Sequence, residues 1–401
     1  IGWVAAADPA SVPGLARKLP HYGKYSYLAF SDGEVENVLK GQWPVTRSPL
    51  IADLTEGAGT RVVLPPRKAL AELPAAFSAE RMIEDVRRLA DPALEGRGLG
   101  SPGLEGAADL IAAAFRAAGL EPAGDDKASY FQTWQARAGA PERTLTLRNV
   151  IGVLPGHDPE RAGEAVIVGA HYDHLGLGWP DVRDGNRGEV HSGADDNASG
   201  VAVLLELARL LADGPAPARS ILFVAFTGEE AGRLGSRHFL AAGRGAEAST
   251  VVGMLNLDTV GRLGEGPLYV IGAGSAREWP HILRGAGYMS GVTVTPVAEP
   301  LDSSDQVSFI EAGIPAVQLF SGAHADYHRP SDTADKVDPA GLIRVASVAR
   351  HAVEYLAGRE ARLTPAGAAP ADAGGAERPA RRAALGTVPD FGYAGEGVRL
   401  S

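Results

Sequence analysis

The sequence predicts an α/β domain: a mixed, mostly parallel sheet flanked by helices. Three observations carry that expectation. Short continuous apolar runs at residues 165–170, 220–226 and 251–257 fit strands buried on both faces. Amphipathic stretches accompany them, as at 78–95, where Met82, Val86 and Leu89 recur at three- and four-residue spacing. Each run also stops at or just before a polar residue, His171, Glu229 or Asp258. Open α/β sheets gather functional groups at the carboxyl ends of their strands.

Taken in order, residues 1–67 read as a strand, a helix at about 10–18 and extended segments at 24–30 and 35–43. The opening Ile1-Gly-Trp-Val has no initiator Met and no charged leader, so this stretch is expected to be the tail of a preceding domain. The main domain spans 78–358. It opens with helices at 78–95 and 102–119, joined by Leu94-Glu-Gly-Arg-Gly-Leu-Gly-Ser-Pro102. After the apolar runs, helices follow Asn197 and span 231–243. Further strands lie at 267–271 and 315–320, and a long helix at about 338–357 closes the domain. From 359 to 382 the composition turns to Ala, Pro, Gly and Arg, the mark of a disordered linker.

Composition narrows the function. A net charge of -11 with no basic patch argues against nucleic acid as a partner. No apolar run reaches membrane-spanning length. The absence of cysteine removes disulfides and thiol nucleophiles, and no Gly-x-Ser-x-Gly elbow occurs. Gly272-Ala-Gly274 lacks the third glycine of a dinucleotide fingerprint.

The chemistry concentrates in five motifs. These are His171-Tyr-Asp173-His174, Asp195-Asp196-Asn197, Gly228-Glu229-Glu230, Asn256-Leu-Asp258 and Tyr327-His328. An imidazole, a carboxylate, a Glu-Glu pair, another carboxylate and a final imidazole suit a pair of closely spaced Zn²⁺ ions. Two nearby cations repel, so one carboxylate must bridge them, and a further carboxylate must stand outside to take a proton from bound water. Singly, each motif has a plainer reading. Glu229 and Glu230 could be acidic residues at the start of a helix, Asp196 and Asn197 ordinary caps, and Asp258 a turn residue. Jointly they point to a metal site. His174 and His191 flank it and read as structural; His324 is a candidate donor to a developing oxyanion. Asn197-Ala-Ser199 fits a glycosylation sequon but lies inside the proposed metal loop.

Residues 80–358, with these motifs in this order, resemble the zinc exopeptidase family that contains secreted bacterial leucyl aminopeptidases and glutamate carboxypeptidase II. The resemblance implies two Zn²⁺ per catalytic domain, with Asp196 as the bridging ligand. Glu230 and His328 would complete one metal, and His171 and Asp258 the other. It makes Glu229 the general base and Asp173 the partner of the free nitrogen of His171. The peptide between Asp196 and Asn197 resembles one that is often cis in this family. Gln306 departs from the pattern, since relatives often carry His there. Residues 385–401 resemble the opening strand of a PDZ domain.

The implied activity is hydrolysis of peptide bonds, foremost as an aminopeptidase acting on a peptide substrate. Carboxypeptidases and glutaminyl cyclases share the scaffold and remain alternatives. A non-catalytic binding module is expected to have lost ligands, and here neither Glu229 nor any of the five ligands is missing. The resemblance favours a periplasmic or secreted setting. Oligomeric state is not legible.

Overall fold

The computed structural model describes residues 5–6, 8–31, 35–42, 76–126, 128–161, 163–182, 185–243 and 250–366. Its contacts divide the chain into two units, Ile1–Pro74 and Ala75–Ser401. In the smaller unit, helix α1 (Val12–Lys18) precedes strands β1 (Tyr27–Phe30) and β2 (Asn37–Gly41), which pair antiparallel.

The larger unit opens with α2 (Ala79–Leu89) and α3 (Pro102–Ala117). Serine caps start both helices: Ser78 Oγ accepts the Arg81 amide at 3.2 Å and Ser101 Oγ the Leu104 amide at 3.1 Å. The expected first helix, 78–95, is too long. Its ladder ends at Ala90, because Pro92 cannot donate to it. Residues Pro92–Arg97 instead make a tight 3₁₀ segment in which Glu95 and Gly96 take positive φ.

The sheet and its covering helices follow. In chain order they are β3 (Glu121–Pro122), β4 (Phe131–Ala138), β5 (Arg143–Leu154), β6 (Ala165–His171), α4 (Gly200–Ala212), β7 (Ser220–Phe226) and α5 (Leu234–Ala241). Next come β8 (Val251–Leu257), β9 (Leu268–Ile271), α6 (Trp279–Ser290), β10 (Val294–Val297), α7 (Gln306–Glu311), β11 (Ala316–Phe320) and α8 (Pro339–Gly358). Nine strands join in the order β10-β9-β11-β8-β6-β7-β5-β3, with β4 paired to β5. The central β7, β6, β8 and β11 run parallel, while β5 and β9 turn antiparallel on the two sides. The mixed sheet, parallel at its heart, is the architecture expected from the sequence.

Its continuous apolar runs have a simple cause. Val166, Val168 and Ala170 of β6 pack into the core that holds α2, α4 and α8, while Ala165 and Ile167 face Phe239 of α5 and Phe309 of α7. Both faces of the strand are buried, so alternation disappears. Strand order reverses at β6: α4 leads to β7 on one side, and α5 leads back past β6 to β8 on the other. Such a reversal opens a crevice above the carboxyl ends of the strands.

Residues 359–366 correct the expected linker. Arg219, buried, donates to the carbonyls of Leu356, Arg359 and Glu360, and Leu363 is buried in the main core. The chain from 359 to 366 is therefore part of the fold. The rest of the linker (367–382), the PDZ-like stretch (385–401) and residues 43–67 lie outside the described residues.

Candidate metal centre

Parallel register builds the first half of the centre. His171 is the last residue of β6 and sits opposite Phe226, three residues before Glu229 on β7. Strand β8 ends at Leu257, which delivers Asp258 to the same edge. Two groups arrive on loops: Asp196 from the turn Ala194–Ser199 ahead of α4, and His328 from the segment after β11. His328 has φ 56, a left-handed conformation uncommon outside glycine.

The side chains converge in two sets. His171 Nε2 lies 3.3 Å from Asp196 Oδ1 and 3.4 Å from Asp258 Oδ1. His328 Nε2 lies 3.2 Å from Asp196 Oδ2 and 3.4 Å from Glu230 Oε2. Asp196 therefore offers one oxygen to each set. Edges of this length separate donors that each stand about 2.0–2.1 Å from a shared tetrahedral centre. His171, Asp196 and Asp258 form one compact donor group; His174, Asp196 and Glu230 form a second, with His328 beside its two carboxylates, and such nitrogen and carboxylate donors fit divalent cations.

The loop carrying Asp196 is held from three directions. Asp332 Oδ2 accepts the amides of Asp195 at 2.8 Å and Asp196 at 3.1 Å. Asp195 Oδ1 accepts the Gly261 amide at 2.5 Å and the Ser199 hydroxyl at 2.9 Å. Asn197 donates to Leu257 O at 2.8 Å and accepts the amides of Gly200 and Thr259 at 3.1 and 3.2 Å. These bonds join the loop to the end of β8, and Asn197 is fully buried, which leaves no room for a glycan. The Asp196–Asn197 peptide is cis.

Several expectations change. The helix read at 231–243 begins only at Leu234, after Arg233 at φ 61, so no acidic residue lies in its first turn. Glu229 and Glu230 occupy the preceding turn, and the helix-start reading of the pair fails. The nearest group to His171 Nδ1 is the Asp173 carbonyl, not its carboxylate. His171 Nδ1 meets the Asp173 backbone carbonyl at 3.1 Å, while Asp173 Oδ1 stays 3.8 Å away and accepts the Glu229 amide at 3.2 Å. Two residues apart on an extended segment, carbonyl and side chain point in different directions, and the turn after β7 claims the carboxylate.

The histidines also sort themselves. His174, read as structural, has Nδ1 2.8 Å from Glu230 Oε1 and joins Asp196 and Glu230 in one donor cluster. His324 Nε2 is 3.0 Å from Asp195 Oδ2, a contact with the loop behind the donors. His191 is buried, its Nδ1 3.0 Å from Glu189 O. Gln306 donates to Ser303 Oγ at 3.0 Å and to Gln318 Oε1 at 3.2 Å, bracing the 300–306 segment against β11.

Three contributors escaped the sequence reading. Asp181 Oδ2 lies 3.2 Å from His328 Nδ1. Arg97, fully buried, donates to the carbonyls of Tyr172, Leu89, Ser192 and Gly193, tying the first tight turn to both donor-bearing loops. Asp305 is buried with no hydrogen-bond partner for either carboxylate oxygen among the described residues, and burial pushes its carboxyl up to about 7. Sequence offered a faint sign only for Arg97, in the glycine-rich segment around it.

The electrostatics suit cations. Burial opposes charge on Asp196, yet His174, His171 and His328 hold its carboxyl well below the usual range. Burial likewise works against protonated His171 and His328, but Asp258 and Glu230, respectively, lead the carboxylates that hold the two rings well above their usual value. Burial pushes Glu229 well above the ordinary carboxylate range; His171 opposes this, and Glu230, Asp305 and Asp258 add to it. Carboxylates crowded this way need positive charge among them.

Comparison with known proteins gives the family and the fold. The sequence profile of Peptidase family M28 matches residues 149–353, a little over half of the chain and all five donors. Aminopeptidase YwaD of Bacillus subtilis (strain 168) is 30% identical over 218 residues, covering 52% of this chain and 44% of that protein. A Pyrenophora teres f. teres protein named "Probable zinc metalloprotease" is 37% identical over 118 residues, covering 29% of this chain and 23% of its own length. The matched stretch thus spans less than half the length of either relative. Among solved structures, an aminopeptidase from Aneurinibacillus sp. strain AM-1 superimposes with a TM-score of 0.56 at 22% identity, covering 72% of this chain and 96% of that one. Porphyromonas gingivalis glutaminyl cyclase gives 0.58 at 22% identity, covering 70% and 98%. At these identities the likeness is one of fold.

Proposed function

Because this chain belongs to peptidase family M28, we propose that it is a zinc-dependent exopeptidase that removes amino-terminal residues from peptides. The observation that carries this reading is Asp196, whose two oxygens each face a separate imidazole at 3.3 and 3.2 Å. In this reading His171, Asp258 and Asp196 would hold one Zn²⁺, and His328, Glu230 and Asp196 would hold the other. When bound, such a pair acidifies a water and polarises a carbonyl oxygen.

The remaining chemistry falls to the protein. Glu229 stands outside both donor sets, on the turn beside Glu230, with its backbone fixed by Asp173. It accepts a proton from the attacking water and returns it to the leaving nitrogen. Asp173 orients Glu229 through its backbone. The Asp332-anchored loop keeps both Asp196 oxygens aimed apart.

A panel of aminoacyl anilides, acyl-dipeptides and amino-terminal glutaminyl peptides tests the proposal. Hydrolysis of the first class, lost on chelation and recovered with Zn²⁺, is the expected result. Cyclisation of glutaminyl peptides without hydrolysis of the anilides would overturn it, as would full activity in metal-free protein.

A further inference from the structure

We propose that His174 is a positioning residue for Glu230: its Nδ1–H donates to Glu230 Oε1 and leaves Oε2 as the single oxygen turned toward His328. The proposal rests on the metal reading above. It makes His174 the outer partner of a ligand, where its place in the donor cluster would equally suggest a ligand.

Distances separate those two roles. The four imidazole-to-carboxylate edges of the donor sets all lie between 3.2 and 3.4 Å. His174 Nδ1 falls outside that range on both sides, 2.8 Å from Glu230 Oε1 and 3.8 Å from Asp196 Oδ2. The short contact is that of a charge-assisted hydrogen bond. Two donors on one ion at about 2.0–2.1 Å each would have to subtend far less than a tetrahedral angle to come so close. His174 also meets a different oxygen of Glu230 from the one facing His328. A proton between Nδ1 and Oε1 accounts for both facts.

The ring is held for this task. The His174 amide donates to Arg97 O at 3.2 Å, so the buried guanidinium and the imidazole belong to one brace. Gly193, at φ +55, lies against the ring: a Cβ there would meet His174 Cδ2 at 2.5 Å and Cγ at 2.6 Å. The rings of His174 and His328 meet edge to face at 5.9 Å and 71°. The side chain is fully buried, and Nε2 has no hydrogen-bond partner among the described residues. Glu230 is thus its polar anchor. With the proton on Nδ1, Nε2 stays bare.

The experiment is calorimetric titration of Zn²⁺ into chelator-treated full chain, for wild type, His174→Phe and His174→Asn. Asn places an N–H close to where Nδ1 stands but is a poor metal ligand. Wild type should bind two zinc ions; failure to do so would sink the metal reading itself. His174→Phe should bind the first with unchanged affinity and the second about 10–100-fold more weakly, as is usual for loss of an outer partner. His174→Asn should restore most of that loss. The retained first site reports that a variant has folded. If Asn loses the second ion as completely as Phe, His174 is a ligand and the proposal falls. It also falls if Phe binds both ions as wild type does.

Discussion

The carboxylate of Asp173 is bound to the backbone amide of Glu229, at 3.2 Å, while His171 Nδ1 meets the Asp173 carbonyl, at 3.1 Å. The carboxylate two residues beyond the proposed zinc ligand His171 therefore serves the residue proposed as the base. This separates two effects usually assigned to one carboxylate.

Asp173→Asn keeps an oxygen for the Glu229 amide and leaves the main-chain carbonyl that faces His171. Zinc affinity should stay within a few-fold of wild type, because the His171 orienter is untouched. If the carboxylate instead polarised His171, affinity would fall by about 10–100-fold. Metal titration of this single variant decides between the two.

Glu229 and Glu230 are adjacent but stand differently toward the donors: only Glu230 has an oxygen at donor spacing from His328. Glu229→Gln should retain both zinc ions while turnover drops by about 10²–10⁴-fold. Glu230→Gln should lose zinc first. Exchange of these two phenotypes would reverse the assignment.

Away from the centre, Glu206 offers a pH prediction. Its buried carboxylate accepts the Ser78 amide at 2.8 Å and the Arg81 guanidinium at 3.1 Å, which joins the start of α2 to α4. Burial would raise its pKa, but the hydrogen bonds from Arg81 and Ser78 outweigh this and hold it below the ordinary value. A depressed carboxylate contributes stability above its unfolded pKa, about 4.3, and loses that contribution as pH falls through the folded pKa. Glu206→Gln should therefore lower stability at pH 7 by about 1–3 kcal/mol. The gap from wild type should start to narrow as the pH falls below about 4.3 and shrink further as it passes through the lower folded pKa. Denaturation curves at pH 7 and pH 3.5 that differ by equal amounts would contradict this.

The carboxyl-terminal boundary can be tested by trimming. A chain of residues 76–366 should bind zinc and hydrolyse peptides. Ending at 358 removes Leu363 from the core and takes the Arg359 and Glu360 carbonyls from buried Arg219. The shorter chain should melt several degrees lower, since an unpaired buried donor costs about 1–3 kcal/mol. Identical melting curves would return 359–366 to the linker.

Much of this centre was legible in the chain. His171, Asp258 and the Glu229–Glu230 pair stand at the ends of apolar runs, and a parallel sheet must bring such ends to one edge. Residue type pointed to a divalent cation, since imidazole and carboxylate donors together suit Zn²⁺ and several of its neighbours. Helix ends were less legible. The stop at Ala90 follows from Pro92, and the late start of α5 follows from the turn that carries Glu229 and Glu230.

Residue order alone determined which strands are buried and which motifs meet. Only the tertiary structure decided which atom faces which. Asp332 reaches back to the Asp195 and Asp196 amides across more than a hundred residues, Asp181 approaches His328 from the opposite loop, and His174 takes one oxygen of Glu230. These choices rest on hydrogen-bond directions fixed by the packing of distant loops, to within a few tenths of an ångström. Local patterning carries no record of that distance.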